Sequence, residues 1–248
     1  MPHFHHFCTS IPVNLDSSGG ASKQAIKEYT ELCDVAYDLT LKDEVIKDVF
    51  QKMWERVEVA RQENLVKIGQ VKFKEQYEDY SRREEAEPVL KSIFGANCAN
   101  DKFLFLDAEI ANPLLFIESN CFKVPQQGKK GAVHGDLHAN NVVIDNLGKV
   151  HLIDFAWAGL SEHILVDYVL MECSLRFLLF PHHVDPQEQL KADKWLLDAD
   201  GARELEGWNT GSTLEGHYRR LGVMLNEVRS EARKFLLADD ASVVRHAD

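Results

Sequence analysis

The chain has 248 residues, of which 45% are hydrophobic, a composition typical of a globular protein that buries a core. Its 40 acidic residues outnumber its 28 basic residues and give a net charge of -12. That balance excludes a protein that holds nucleic acid through its phosphates, because such binding depends on lysine and arginine.

Cysteine usage and the apolar segments predict a cytoplasmic protein without a membrane partner. No pair of cysteines has the two-residue gap of a zinc or redox motif, so we expect reduced thiols. Residues 1–10 lack the basic and apolar pattern of a signal peptide. The apolar run 164–180 contains Asp167, Glu172 and Arg176, so it predicts a buried helix rather than a membrane span. The five cysteines are Cys8, Cys33, Cys98, Cys121 and Cys173.

Residues 1–20 are predicted to form a tail that ends at Gly19-Gly20. A cluster of histidines at a terminus is more often incidental than a set of ligands, so a metal site is not expected at His3, His5 and His6. The segment 22–94 has a helical pattern. One predicted helix face consists of Ile46, Phe50, Met53, Val57 and Ala60.

The middle of the chain is less regular. Glu87-Pro88 predicts the end of one helix or the start of another, because proline restricts the residue before it. Residues 95–101 and 125–131 are predicted loops. The short apolar runs 103–106 and 114–117 fit either strands or buried helix, since periodicity cannot decide at that length.

The second half of the chain has the clearest local signal. Two β-branched runs, 142–144 and 149–153, are separated by Asp145-Asn146-Leu147-Gly148, which predicts a tight β-hairpin. Amphipathic or apolar patterns predict helices after it, at 162–180, 185–197 and 212–237.

The residues around this hairpin predict phosphoryl-transfer chemistry. The motif reads His-Gly-Asp-Leu-His-Ala-Asn-Asn over 134–141 and Ile-Asp-Phe at the far end of the hairpin. Asp136 is a carboxylate that could accept the proton of an acceptor hydroxyl. Asn141 and Asp154 supply oxygen ligands for magnesium, and a hairpin of this length should return Asp154 to the side of Asn141.

This motif resembles the catalytic segment of the aminoglycoside phosphotransferase and choline kinase group of the protein-kinase-like superfamily. The resemblance implies ATP and Mg²⁺ as cofactors, Asp136 as catalytic base, and Asn141 and Asp154 as metal ligands. It also implies structural support from His134, which braces the loop, and from Asp167, which hydrogen-bonds loop amides in a buried position.

The resemblance covers about 112–180 well and the remainder weakly. Asn112-Pro113-Leu114-Leu115-Phe116 is similar to a segment of the bacterial ternary-complex-associated branch. Ala139-Asn140 replaces the Pro-Gly that is frequent in the group, which alters loop stiffness but removes no ligand. Ala156 replaces the glycine of protein kinases and argues against that class more than against activity.

The nucleotide side of such an enzyme is largely missing. Gly19-Gly20 and Gly69 are the only glycines before Gly95, and none has the spacing of a phosphate-covering loop. The nucleotide-binding residues are therefore unknown. Lys67 is the best substitute for the strand lysine because Leu65-Val66-Lys67-Ile68 has a strand-like pattern, although its surroundings are predicted to continue a charged helix.

The predicted fold class is α+β, mainly α. It is a kinase-like C-terminal lobe with a catalytic β-hairpin and a helical N-terminal region, and the nucleotide β-lobe is largely absent. After the tail, one domain spans 21–248, and it comprises a helical region 21–130, a catalytic core 131–180 and C-terminal helices 181–248.

The expected function is transfer of the ATP γ-phosphoryl group to a small-molecule hydroxyl, in a chain that needs a partner or a missing N-terminal lobe to be complete. One alternative is an inactive kinase-like binding or regulatory module. Another is a metallophosphoesterase with Asp136 and His138 as metal ligands, although the further Asn and His motifs of that class are not found downstream.

Overall fold

The structure is a computed structural model. It describes residues 29–36, 38–63, 66–81, 83–105, 108–119, 123–178, 185, 187–189 and 215–236. The predictions made for the tail 1–20 and for most of the helix 185–197 lie outside these residues.

The elements alternate between helices and short strands along the chain. The helices are α1 (Leu32–Ala36), α2 (Asp43–Glu63), α3 (Phe73–Ser81), α4 (Arg83–Phe94), α5 (Pro113–Glu118), α6 (Leu165–Cys173) and α7 (Glu215–Arg233). The strands are β1 (Tyr29–Glu31), β2 (Lys67–Val71), β3 (Lys102–Phe105), β4 (Ala108–Ala111), β5 (Gln126–Val133), β6 (Val142–Asp145), β7 (Val150–Leu152) and β8 (Gly159–His163). The predicted α+β, mainly helical class is confirmed.

The chain divides into two compact units. The core unit comprises the described residues up to 66 and from 131 onward, and the inserted unit comprises 67–130. Val66 Cγ2 lies 3.5 Å from the position that a Cβ on Gly131 would occupy, so the chain leaves and re-enters the core unit at adjacent points. The single domain over 21–248 stays a prediction, because compactness alone does not show which parts fold independently.

The core unit packs its helices against the small sheet β1-β6-β7. Its hydrophobic core joins α1, α2, α6 and α7 with Val142 and Ile144 of β6 and Val150 of β7. The predicted apolar face of α2 is confirmed, since all five of its residues are buried there: Ile46, Phe50, Met53, Val57 and Ala60. Every member of this core lies outside 67–130.

The predicted hairpin is confirmed as β6 and β7. They pair antiparallel with Val142 opposite Leu152 and Ile144 opposite Val150. Asp145 Oδ1 accepts hydrogen bonds of 2.9 Å from the backbone N–H groups of Leu147 and Lys149. Gly148 has φ +72°, which a residue without a side chain adopts at little cost, so the turn chemistry agrees with its sequence.

The inserted unit contains two antiparallel strand pairs. β2 pairs with β5 from Lys67 opposite Lys130 to Val71 opposite Gln126, and β3 pairs with β4. Asn112 caps α5 by accepting a 3.0 Å hydrogen bond from Leu114 N. Of the two undecided apolar runs, the first is thus largely strand and the second is helix.

Several local predictions are wrong. The predicted loop 125–131 is mostly strand β5, whose polar sequence pairs with β2 despite low strand propensity. The region 21–130, predicted to be helical, contains the strands β1 to β4 and most of β5, and the 95–101 loop begins with a 3₁₀ helix, Gly95–Ala99. Pro88 lies inside α4 rather than at a helix boundary.

The helix predictions near the C-terminus are partly correct. The predicted helix 162–180 begins only at α6, after β8, and changes to a π-helical turn at Ser174–Leu178. The predicted helix 212–237 is represented by α7 within the described residues. Within those residues, no helix has the length and apolar character that crossing a membrane requires.

Candidate active site

The base of the hairpin, opposite its turn, brings the second predicted aspartate to the predicted asparagine. Ile153 N donates a 3.0 Å hydrogen bond to Asn141 O, which extends the pairing of β6 and β7 by one residue on each strand. Asp154 is the next residue. The hairpin register therefore places the backbone of Asp154 beside Asn141.

Asn141 also contacts the first predicted aspartate. Its side-chain Nδ2 donates to the backbone oxygen of Asp136 at 2.8 Å and lies 3.4 Å from the carboxylate Oδ2 of the same residue. Both partners are hydrogen-bond acceptors, so the atom of the Asn141 side-chain amide that faces Asp136 is the nitrogen. Its Oδ1 points the other way and is the atom that could bind a cation.

Asp154 has an unusual backbone. Its φ is +60°, and it is the one residue other than glycine with positive φ among those the structure describes. An L-residue in this region costs of order 1–2 kcal/mol, and aspartate tolerates it better than most. The side chain is exposed. Strain of this kind concentrates at functional sites, where surrounding contacts hold it in place.

His134 holds the residues on both sides of Asp154. Its Nε2 lies 2.8 Å from the carbonyl oxygen of Ile153, and its ring packs against Phe155 with centroids 4.6 Å apart. A carbonyl only accepts, so Nε2 carries the proton. Burial lowers the pKa of His134, and the carboxylates of Asp167, Asp136 and Asp154 oppose this shift. His134 is therefore a neutral brace at ordinary pH.

Asp167 fixes the backbone that leads into Asp136. It is fully buried, and its two carboxylate oxygens accept hydrogen bonds from His134 N at 3.1 Å and Gly135 N at 2.9 Å. Burial raises the pKa of Asp167, while Arg61 and the two amides oppose that shift. These contacts place the acid of α6 behind the 134–141 loop.

Gly135 permits this loop conformation. Its φ is +82°, and a Cβ at this position would lie 2.1 Å from the backbone oxygen of Trp157. The chain that follows Asp154 therefore passes directly against the residue that precedes Asp136. Only glycine allows that approach without a backbone shift.

Arg61 was missed by sequence reasoning. It is 1% exposed and makes an ion pair of 3.1 Å with Asp167. Its position on α2 carried a signal, because it lies four residues after Val57 and so continues the buried face of the helix. A charged residue on such a face is expected to have a buried partner.

The oxygen donors fit magnesium. Asn141 Oδ1 and the Asp154 carboxylate are hard ligands, and magnesium takes few ligands from protein when water and phosphate complete its shell. No group of three or more His, Cys, Asp or Glu side chains among the described residues could hold a metal ion. A site with one carboxylate and one amide needs no such group.

Two further residues of the sequence analysis are Lys67 and His138. Lys67 lies in strand β2, which agrees with its strand-like flank and not with a continuing helix, and it belongs to the inserted unit. His138 Nε2 lies 3.6 Å from Asp136 Oδ2, beyond hydrogen-bond distance. His138 Nδ1 is buried without a hydrogen-bond partner among the described residues.

The comparisons with known proteins give a family. The family model of ternary complex associated domain 9 matches residues 22–247, so the chain belongs to this family. No curated protein matches the chain. No solved structure matches it either.

Proposed function

We propose that the protein is a phosphotransferase that moves the γ-phosphoryl group of ATP to a hydroxyl of a small molecule. The observation that carries the proposal is the closure of the hairpin. Ile153 N bonds Asn141 O while the Asn141 side chain bonds Asp136, so the proposed base lies beside Asn141 and the backbone of Asp154 follows next to it. These are the groups that phosphoryl transfer needs on its acid, base and metal side.

Each residue has a role in this reaction. Asp136, whose side chain is 34% exposed, is accessible to an acceptor hydroxyl and takes its proton. The hydroxyl oxygen forms a bond to the γ-phosphorus, and the bond from that phosphorus to the β–γ bridging oxygen breaks, which leaves ADP. Magnesium, held by Asn141 and Asp154, would neutralise charge on the phosphates.

A second candidate is a binding module of kinase ancestry that holds nucleotide without turnover. The scarcity of glycine before Gly95 favours it, because no phosphate-covering loop is evident in that part of the sequence. The family description refers to ternary complexes, so we propose that a partner or a further lobe supplies the groups that cover the phosphates. No observation on the described residues favours the metallophosphoesterase alternative.

Binding of ATP with and without magnesium tests the metal assignment. We expect magnesium-dependent ATP binding in the wild type and its loss in Asp154→Ala, measured by titration calorimetry. Asp48→Asn is the matched control, since Asp48 is an exposed aspartate that pairs with Lys52 on α2. Equal binding by the wild type and Asp154→Ala would overturn the metal assignment.

Turnover separates the two candidates. A phosphotransferase releases ADP in the presence of hydroxyl acceptors, and Asp136→Asn should reduce that rate by about 10²–10⁴-fold while ATP still binds. A binding module shows magnesium-dependent binding in both forms and no ADP release in either. A rate that is unchanged in Asp136→Asn would refute its role as the base.

A further inference from the structure

The buried guanidinium of Arg61, on α2, contacts four residues of β5 and of the start of α6. Arg61 Nε donates to Ala132 O at 3.2 Å, and Nη1 donates to Tyr168 Oη at 2.7 Å. Its Nη2 lies 3.1 Å from Asp167 Oδ2 and 3.5 Å from Ile164 O. The planar fork of arginine can serve several acceptors in fixed directions, which the point charge of lysine cannot.

Aromatic rings enclose the same guanidinium. Its central carbon lies 5.1 Å from the centroid of the Tyr168 ring and 5.0 Å from that of Phe235. Tyr168 is itself stacked on Trp54 of α2 at 4.5 Å. Burial raises the pKa of Tyr168 to about 12, so its hydroxyl stays protonated and accepts from Arg61 through its oxygen. The guanidinium is thus held from several sides and has little freedom to move.

Two of the contacts of Arg61, those with Ala132 O and Asp167, lead to the 134–141 loop. Ala132 is two residues before His134, and Asp167 accepts the amides of His134 and Gly135. The same guanidinium therefore fixes the strand that enters the loop and the acid that holds the loop backbone. Asp136 follows Gly135 directly, so its position depends on this arrangement.

We propose that Arg61 is a positioning residue for Asp136, acting through Asp167 and the carbonyl of Ala132. It touches no reacting group. A misplacement of about 1 Å at a reacting group can reduce a rate about 100-fold, so loss of Arg61 should lower kcat much more than it changes KM for ATP. The kinetic part of this inference rests on the proposed function, and its structural part does not.

Arg220 provides a matched control. It is 3% exposed, and its guanidinium bonds Asp43 Oδ1 at 3.1 Å, the Asp38 carbonyl at 3.2 Å and the Leu41 carbonyl. It is therefore a buried arginine with an acid and two carbonyl partners, like Arg61, but its partners lie in 38–43. Arg220→Met should destabilise the core unit without moving the 134–141 loop.

Amide hydrogen exchange tests whether Arg61 orders the 134–141 loop, a claim that does not depend on enzymatic activity. In Arg61→Met we expect exchange at His134 and Gly135 to accelerate at least about tenfold more than in Arg220→Met, because Asp167 loses its ion-pair partner. Arg61→Lys keeps the positive charge but not the planar guanidinium, so its exchange rates at these amides should lie between those of the wild type and Arg61→Met. It replaces Arg61→Met in the experiment if that variant does not fold. Exchange that is no faster than in Arg220→Met would overturn the inference.

The kinetic experiment then separates the inference from the proposed function. If the wild type turns over, Arg61→Met should lose about 100-fold in kcat with little change in KM for ATP, with partial rescue in Arg61→Lys. Equal loss in Arg220→Met would overturn the positioning role. If the wild type binds ATP with magnesium but does not turn over, this chain is by itself a binding module rather than a phosphotransferase, and hydrogen exchange still decides whether Arg61 orders the loop.

Discussion

Replacement of Gly135 by alanine is the sharpest test of the loop geometry. The new Cβ would lie 2.1 Å from Trp157 O, whereas real Cβ contacts are not closer than 3.0 Å, so 3.0 − 2.1 = 0.9 Å of movement is needed. The obstacle is a backbone atom and cannot rotate away. Positive φ costs alanine about 1–2 kcal/mol, and overpacking adds about 1–3 kcal/mol. We expect Gly135→Ala to lower the free energy of unfolding by roughly 2–5 kcal/mol.

Gly148→Ala separates the two contributions. Gly148 has φ +72°, similar to that of Gly135, but a Cβ there would have nothing within 4 Å. Gly148→Ala should therefore lower the free energy of unfolding only by the cost of a positive φ for alanine, about 1–2 kcal/mol. The effect of glycine on the unfolded chain is common to both variants and cancels in their difference. That difference, about 1–3 kcal/mol, measures the contact with Trp157 O.

Urea unfolding followed by tryptophan fluorescence provides the assay. None of the four tryptophans lies in 67–130, and the two that the structure describes, Trp54 and Trp157, belong to the core unit. Changes in their fluorescence report on the core unit and not on the inserted unit. One of them, Trp54, is buried on α2 and stacks on Tyr168. Equal loss of stability in Gly135→Ala and Gly148→Ala would show that the segment after Asp154 does not press against the loop.

Three further predictions concern pH, the inserted unit and its cap. Because burial lowers the pKa of His134, the unfolded chain binds a proton below pH 6.5 that the folded chain does not. Core-unit stability should therefore fall with decreasing pH by up to about 1.4 kcal/mol per unit, and His134→Gln should flatten that slope in urea titrations between pH 5 and about 7.5. A slope that is unchanged in the variant would contradict the assignment. A short Gly-Ser linker in place of 67–130 should leave cooperative unfolding of the core unit intact, since no described residue of that segment belongs to the hydrophobic core; a broad, non-cooperative fluorescence transition would contradict this. Asn112→Ala removes a cap and leaves two carbonyls, those of Cys98 and Asn100, without their donor. This substitution should lower the free energy of unfolding of the inserted unit by about 2–4 kcal/mol and accelerate hydrogen exchange at the first turn of α5. Unchanged exchange there would refute the assignment of Asn112 as the cap.

Local signals in the sequence were sufficient for the hairpin and for α2. The turn residues Asp145 and Gly148 determine a tight connection by their own chemistry, and the spacing of Ile46, Phe50 and Met53 defines one helix face. Each of these features depends on residues that are close in sequence. Such features can be predicted without knowledge of the tertiary structure.

Features that depend on distant partners were missed. Strand β5 has a polar sequence and is defined by its pairing with β2, more than fifty residues away. Arg61 is defined by Asp167, at a separation of 106 residues. Pro88 is tolerated inside α4, where proline normally interrupts a helix. Sequence patterns give no direct information on such partners, although the place of Arg61 on a buried helix face was a usable signal.

For the candidate site, the sequence predicts residues but not their conformation. Asp136, Asn141 and Asp154 follow from the motif and its spacing. The positive φ of Asp154 could not be predicted, because aspartate adopts ordinary backbone angles in most settings. The contacts of His134 with both neighbours of Asp154 also required the folded structure.

The most direct test of the central claim is the Asp154→Gly variant, measured for stability and for ATP binding together. Glycine accepts φ +60° without strain, so the free energy of unfolding should stay the same or rise by up to about 1 kcal/mol. Magnesium-dependent ATP binding should be lost in the same protein, because the proposed metal ligand is gone. Intact magnesium-dependent binding in Asp154→Gly would contradict the account.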